Sequence, residues 1–114
     1  MRNILIVEDE IIFALYMKRI LTAKGYKILK ILSDGRKAVN LALTEKPEAI
    51  LMDINLKGEL NGVETAQEIY RFYRPQIIFI SAYDKITFDY SGLDYSFLQK
   101  PIWDTNLLSL LSIN

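Results

Sequence analysis

The chain has 114 residues, of which 51% are hydrophobic, and equal numbers of acidic and basic side chains give it zero net charge. This length supports one domain with a hydrophobic core and is too short for two, so we expect a single domain over residues 1–114. A neutral chain without a basic block does not attract nucleic acid or an anionic membrane, and we expect direct binding to neither.

Cysteine and histidine are absent from the sequence. Their absence excludes disulfides, thiolate and imidazole metal ligands, and Ser-His or Cys-His catalysis. The apolar run near the amino end is too short for a signal peptide or a spanning helix. We therefore expect a cytoplasmic protein.

Five short apolar segments predict strands at residues 4–7, 26–32, 49–52, 77–80 and 95–98. The first, third and fourth are uninterrupted, as in strands that are covered on both faces. Lysines break the second and polar residues make up half of the fifth, so we place these two strands at the edges of the sheet.

Apolar residues at helical spacing fill the intervals between these strands. The first helix has Phe13, Tyr16, Met17, Ile20 and Leu21 on one face and ends at Gly25. Start signals at 33–35 and 61–62 predict the next two helices, the second of which extends to Tyr73, before Pro75. Residues 83–90 have weak helix propensity and predict a short or irregular fourth helix, and Pro101 suits the first turn of a last helix. The alternation predicts an α/β fold with a doubly wound, five-stranded parallel sheet.

Polar side chains follow these strands at their carboxyl ends. Glu8 and Asp9 end the first strand, Asp53 the third, Ser81 the fourth and Lys100 the fifth. With the strand order 2-1-3-4-5, the first and third strands are neighbours, and their three carboxylates converge at the switch point of the sheet.

Three converging carboxylates repel one another unless a cation lies between them. With only hard oxygen ligands on offer, Mg²⁺ is the expected metal, and Mn²⁺ is a substitute. A metal, the Lys100 ammonium and the Ser81 hydroxyl would each stabilise one equatorial oxygen of a phosphoryl group in transfer. Asp53 is then the expected nucleophile, which forms an acyl phosphate.

These residues resemble the receiver domain of two-component response regulators, which has a flavodoxin-like (βα)5 fold. The resemblance covers essentially the whole chain and rests on Glu8-Asp9, Asp53, Ser81-Ala82 and the segment from Phe97 to Lys100-Pro101. It implies that Asp53 is the phosphoacceptor and that Mg²⁺ binds to Glu8, Asp9, Asp53 and the main-chain carbonyl of Asn55.

The resemblance also implies phosphate contacts and a switch. The phosphate contacts are Ser81, Ala82, Lys100 and Asn55. In the switch, Ser81 moves toward the phosphoryl group, Phe97 turns inward, and the face made by the fourth helix, the fifth strand and the last helix changes. That face is the expected surface for a partner or for a homodimer.

The implied partner is a sensor histidine kinase or a phosphotransfer protein that supplies the phosphoryl group. Apart from its own phosphorylation and dephosphorylation, the domain would have no enzymatic activity. A C-terminal effector domain outside this chain is an open alternative to a stand-alone regulator.

Two rival functions stay open at this point. A pseudo-receiver would bind or dimerise without phosphorylation. A phosphatase of the haloacid dehalogenase type would need a second aspartate two residues after its nucleophile, where this chain has Asn55. A flavin binder of the same fold is disfavoured because Glu8-Asp9-Glu10 replaces the small residues that cradle phosphate.

Overall fold

The computed structural model describes residues 2–83 and 88–111. In chain order the elements are β1 (Asn3–Val7), α1 (Ile11–Ala23), β2 (Lys27–Leu32), α2 (Gly35–Glu45), β3 (Ala49–Asp53), α3 (Gly62–Tyr70), β4 (Gln76–Ser81), β5 (Tyr95–Gln99) and α4 (Asp104–Leu111). Within the described ranges we find no helix with the length and apolar content needed to cross a bilayer.

All five strands are parallel, in the order β2-β1-β3-β4-β5. This arrangement confirms the predicted doubly wound sheet, with β2 and β5 at its edges. The register aligns Val7 with Met52, Asp53 with Ile80 and Ser81 with Gln99. The carboxyl ends of β1, β3, β4 and β5 therefore lie on one edge.

The core has two layers, one on each side of the sheet. Helices α2 and α3 cover the face that contains Leu5, Ile50, Met52 and Phe79. Helices α1 and α4 cover the opposite face, where β3 contributes the intervening Leu51. Because successive strand residues point to opposite faces, a strand covered by helices on both sides is apolar throughout, as β3 is before Asp53.

The starts of α2 and α3 follow the predicted capping signals. Asp34 accepts a hydrogen bond from the Lys37 N–H at 3.0 Å. Asn61 and Glu64 form a reciprocal capping box at the start of α3. The next residue, Gly62, packs so tightly that a Cβ there would lie 2.2 Å from the Asp53 carbonyl oxygen. Only glycine lets α3 begin against the backbone of Asp53.

Two predicted helix boundaries are wrong. The last helix begins at Asp104, so Pro101 lies before it and not in its first turn. The N–H groups of Asn106 and Leu107 both bond to the Trp103 carbonyl, which makes Trp103 the first hydrogen-bonded residue of that turn. The Lys100–Pro101 peptide bond is cis.

The third helix ends at Tyr70 and does not reach Tyr73. The N–H groups of Phe72 and Tyr73 converge on one carbonyl, that of Ile69, and this tightened turn ends the helix. The Tyr73 side chain instead packs inward, and its hydroxyl donates to the Pro47 carbonyl at 2.9 Å.

The segment between β4 and β5 has an irregular backbone over residues 88–94 and is non-helical where the structure describes it. Its side chains Phe88, Tyr90 and Leu93 pack on the α2/α3 face. Side chains of α3 bind its carbonyl groups: Gln67 donates to Asp89 at 2.8 Å and Tyr70 to Asp94 at 2.9 Å. The predicted short helix over 83–90 falls partly on residues 84–87, which lie outside the described residues.

Candidate functional site

The three predicted carboxylates meet at the carboxyl edge of the sheet. Glu8 and Asp9 follow β1, Asp53 ends the neighbouring β3, and one oxygen of each lies within 4.8 Å of the others. Glu8 is 2% exposed and Asp53 is 6% exposed, whereas Asp9 faces solvent. The site is therefore an acidic cluster with two buried members and one at its mouth.

Burial makes ionisation of the inner carboxylates unfavourable. It raises the pKa of Glu8 to about 7, against the opposing hydrogen bond from the Glu10 N–H, and the charge of Asp53 raises it further. Burial also raises the pKa of Asp53, although the Asn55 N–H donates to Asp53 Oδ1 at 2.9 Å. Ionising both carboxyl groups at once therefore costs free energy unless a cation compensates their charge.

The donor set fits a small divalent cation. Among the described residues, the buried Glu8 Oε1 accepts no hydrogen bond and is compensated only by the ion pair with Lys100 Nζ, 3.2 Å away, so this oxygen can accept a further ligand. The convergent side-chain ligands are all carboxylate oxygens, which Mg²⁺ prefers in proteins. Glu8, Asp9 and Asp53 are therefore suited to hold Mg²⁺.

Lys100 lies at the rim between three groups. Its Nζ is 3.2 Å from Glu8 Oε1, donates to Glu10 Oε1, and lies 4.5 Å from the centre of the Phe13 ring. Burial acts to lower the pKa of Lys100, but the carboxylates of Glu10 and Glu8 outweigh it, and the pKa is raised. The ammonium is thus charged and held close to the acidic cluster.

Glu10 is a site residue that the sequence interpretation missed. In the sequence it stands only as one of three consecutive acids, which disfavour a flavin site. That run of acids after β1 was the available signal, but a side chain at the start of a helix can point in several directions.

Ser81 is fully buried at the end of β4, and its hydroxyl is held by two donors. The Tyr83 N–H donates to Ser81 Oγ at 3.1 Å and Asn55 Nδ2 donates to it at 3.2 Å. The Asn55 side chain thus links the loop after β3 to the end of β4, a contact that was not predicted. Ala82 follows Ser81 directly and is exposed.

Phe97 is half-buried on β5, in register with Phe79 of β4. It packs on the α2/α3 face. Phe79 also contacts the rings of Tyr90 and Tyr95, which stack on each other with centroids 4.7 Å apart. The predicted switch residue therefore lies beside an aromatic cluster that joins β4, β5 and the segment before β5.

A doubly wound sheet with an acidic cluster at its carboxyl edge, a nearby lysine and a buried serine is the arrangement of a receiver domain. The sequence model of the response regulator receiver domain matches residues 4–112. The chain belongs to that family, the receiver domains of two-component response regulators.

Individual relatives agree with this assignment. The transcriptional regulatory protein PdtaR of Mycobacterium tuberculosis is 31% identical over 84 residues, which are 74% of this chain and 40% of PdtaR. The match therefore covers less than half the length of that relative.

Solved structures of receiver domains share the fold. The signal receiver domain of a modulated diguanylate cyclase from Desulfovibrio desulfuricans G20 has a TM-score of 0.89 and 31% identity, covering 99% of this chain and 92% of that one. The receiver domain of the sensor histidine kinase PA1611 from Pseudomonas aeruginosa PAO1 has a TM-score of 0.84 and 29% identity, covering 96% and 93%. That structure has a magnesium ion coordinated in its active-site cleft.

Proposed function

We propose that this receiver domain accepts a phosphoryl group on Asp53 from the phosphohistidine of a sensor kinase or phosphotransfer protein, in a Mg²⁺-dependent reaction. The observation that carries the proposal is the convergence of three carboxylates within 4.8 Å, with Lys100 at their rim. A cluster of this charge costs folding free energy, and a site for metal and phosphate accounts for it.

The transfer needs few groups. A carboxylate oxygen of Asp53 forms a bond to phosphorus while the bond from phosphorus to the histidine nitrogen breaks, and the nitrogen keeps the electron pair. When bound to Glu8, Asp9, Asp53 and the Asn55 main-chain carbonyl, Mg²⁺ supplies charge neutralisation for the incoming phosphoryl oxygens. Lys100 would stabilise a second oxygen, and this positioning and charge stabilisation make up most of the catalysis.

Ser81 would stabilise the third oxygen and transmit the signal. To donate to a phosphoryl oxygen, its hydroxyl has to turn, which alters the bonds it accepts from Asn55 and Tyr83. Ala82 and Asn55 would complete the phosphate contacts. Phe97 would turn inward behind Ser81 and change the face formed by residues 88–94, β5 and α4, the proposed surface for a partner or homodimer.

The protein donor would dock on α1, beside the site. Tyr16 and Trp103 line a shallow pocket together with Lys100. The exposed apolar side chains of α1 and the β5–α4 loop are Ile11, Ile12, Leu15, Tyr16 and Trp103. Such a concentration of exposed apolar residues supports a protein contact. Ile12→Glu should slow transfer from any phosphohistidine protein that labels the wild type and leave labelling by acetyl phosphate unchanged. Equal slowing with both donors would contradict this docking site.

Acetyl phosphate with Mg²⁺, followed by mass spectrometry, tests the phosphoacceptor assignment. We expect one aspartyl phosphate in the wild type, none in Asp53→Asn, and normal labelling of Asp94→Asn, an exposed aspartate before β5. Labelling of Asp53→Asn at the wild-type rate would refute the assignment. Release of phosphate with rapid turnover would favour the phosphatase, and an unlabelled wild type would favour the pseudo-receiver.

We further propose that residues 1–114 form one receiver domain whose output depends on a partner or on an effector domain outside this chain. The family match over residues 4–112 and the single five-stranded sheet support this view. Limited proteolysis of the folded chain should therefore leave residues 4–111 as one resistant fragment.

A further inference from the structure

The side chain of Glu10 holds the ammonium group that the phosphoryl group would need. Lys100 donates to Glu10 and lies 3.2 Å from Glu8, and the Phe13 ring covers it at 4.5 Å. The two carboxylates differ sharply in environment, because the Glu8 side chain is 1% exposed and that of Glu10 is 65% exposed.

Glu10 does not use its carboxylate to build the fold. It occupies the residue before α1, where Ser, Thr, Asp or Asn commonly cap a helix, yet its side chain makes no capping bond to the described residues of α1. The main chain of Glu10, and not its carboxylate, makes the local hydrogen bonds: its N–H donates to Glu8 Oε2, and its carbonyl accepts from the Ala14 N–H. The contact with Lys100 is what the carboxylate itself contributes.

We propose that Glu10 is a positioning residue that tethers Lys100 in the unphosphorylated protein and thereby slows phosphorylation of Asp53. This inference rests on the proposed phosphoacceptor function. Releasing Lys100 from Glu8 would leave a buried carboxylate without its cation, which is costly. Releasing it from Glu10 leaves an exposed carboxylate that water solvates, so Glu10 is the partner that the phosphoryl oxygen displaces.

The step that Glu10 slows is the transfer itself. With acetyl phosphate, an Asp53 oxygen bonds to phosphorus while the bond from phosphorus to the acetyl oxygen breaks, and acetate leaves with the electron pair. Lys100 has to turn toward the phosphoryl oxygens as this happens. An ion pair with an exposed partner contributes about 0.2 to 1 kcal/mol, so removing the tether should raise the labelling rate by a factor of roughly 1.4 to 5.

The test compares Glu10→Gln with a matched control, Glu59→Gln. Glu59 lies on the loop after β3, its side chain is 69% exposed, and it pairs with Arg36 rather than with Lys100. We expect faster labelling by acetyl phosphate in Glu10→Gln and no comparable gain in Glu59→Gln. In a Lys100→Gln background, Glu10→Gln should no longer change the labelling rate, because the ammonium group that Glu10 would hold is absent. The four proteins form a double-mutant cycle for the pair.

A second readout needs no phosphorylation. The ¹⁵N signal of Lys100 Nζ in the metal-free protein should shift in Glu10→Gln and stay in place in Glu59→Gln. An unchanged signal, or equal or slower labelling of Glu10→Gln beside a wild type that is labelled, would overturn the tether alone. A wild type that is never labelled would overturn the phosphoacceptor function and the rate effect with it, while the Nζ signal would still decide whether the tether exists.

Discussion

Asp53→Asn should make the metal-free protein more stable, even though it removes the proposed phosphoacceptor. The amide keeps the oxygen that accepts the bond from the Asn55 N–H, at 2.9 Å in the wild type, so the loop geometry should survive. What disappears is one negative charge from a cluster whose oxygens lie within 4.8 Å of one another.

The size of the effect follows from that distance. At an effective dielectric constant of about 20, two unit charges 4.8 Å apart interact by about 3.5 kcal/mol. Burial is the main cause of the raised pKa of Asp53, and the charge of Asp9 adds to it, while Lys100 attracts the carboxylate. Glu8 is partly protonated near pH 7, so it repels Asp53 only in its ionised fraction. The attraction offsets about one repulsive pair, which leaves a net gain of about 2 kcal/mol on removing the charge.

Magnesium should reverse the order of stabilities. At a hundredfold excess over its dissociation constant, a ligand that binds only the folded state adds about 2.7 kcal/mol, which exceeds the gain of about 2 kcal/mol from removing the charge. The wild type should gain this amount, and Asp53→Asn, which lacks one of the three carboxylates, should gain much less.

Urea unfolding with and without Mg²⁺ measures both effects. Asp94→Asn serves as the control, since it is the same change at an exposed position outside the acidic cluster, where we expect less than about 0.5 kcal/mol. The reasoning is refuted if Asp53→Asn is no more stable than the wild type in the absence of metal and both respond equally to Mg²⁺.

Three further predictions concern the same edge of the sheet. Gly62→Ala should cost about 3 kcal/mol in urea unfolding and slow labelling by acetyl phosphate, because the added Cβ would clash with the Asp53 carbonyl. Gly25→Ala is the control: the added Cβ meets open space there, so alanine should cost only about 1 kcal/mol, for the positive φ. The pKa of Glu8 in the folded protein is about 7, above its ordinary 4.5, so the folded state binds this proton more tightly than the unfolded state does. The stability of the metal-free protein should therefore fall by at most about 3 kcal/mol as the pH rises from 5 to 8. Glu8→Gln should flatten that slope in urea titrations. Beryllofluoride with Mg²⁺, which stands in for the phosphoryl group, should shift the NMR signals of residues 88–97 in the wild type. Ser81→Ala should bind it and show smaller shifts at these residues. Shifts confined to the Asp53 pocket would contradict the proposed switch.

The fold could be predicted because its signals are local and repeated. Each buried strand contains an apolar run of four residues, and the lysines of β2 mark it as an edge. Capping residues before α2 and α3 fix where those helices start. The end of α3 and the start of α4 could not be predicted, because both depend on which backbone carbonyls the turn residues reach, and no residue type encodes that.

In the candidate site too, sequence predicts the positions of residues at strand ends but not the contacts of their side chains. Glu8, Asp9, Asp53, Ser81 and Lys100 could be placed from sequence because each follows a strand, and strand ends meet at one edge. The side-chain contacts of Asn55 with Ser81 and of Glu10 with Lys100 could not, since a residue beyond a strand end has several rotamers and several neighbours within reach. Sequence therefore indicated which elements meet and left the hydrogen bonds between their side chains undetermined.

Glu10 also changes the charge balance of the site. With Glu8, Asp9 and Asp53 alone, a divalent cation and Lys100 would neutralise the cluster; with Glu10 included, the acidic groups exceed these positive charges by one. The excess lies on Glu10, whose side chain is 65% exposed, so water screens it. With a metal bound, the charge of the inner carboxylates would be balanced by the cation and Lys100, and the unbalanced charge would lie at the rim, on the residue that we propose releases Lys100 at the lowest cost. An incoming phosphoryl group would therefore meet the unbalanced negative charge of Glu10 at that rim. Glu10 would have to release Lys100 for the transfer to proceed.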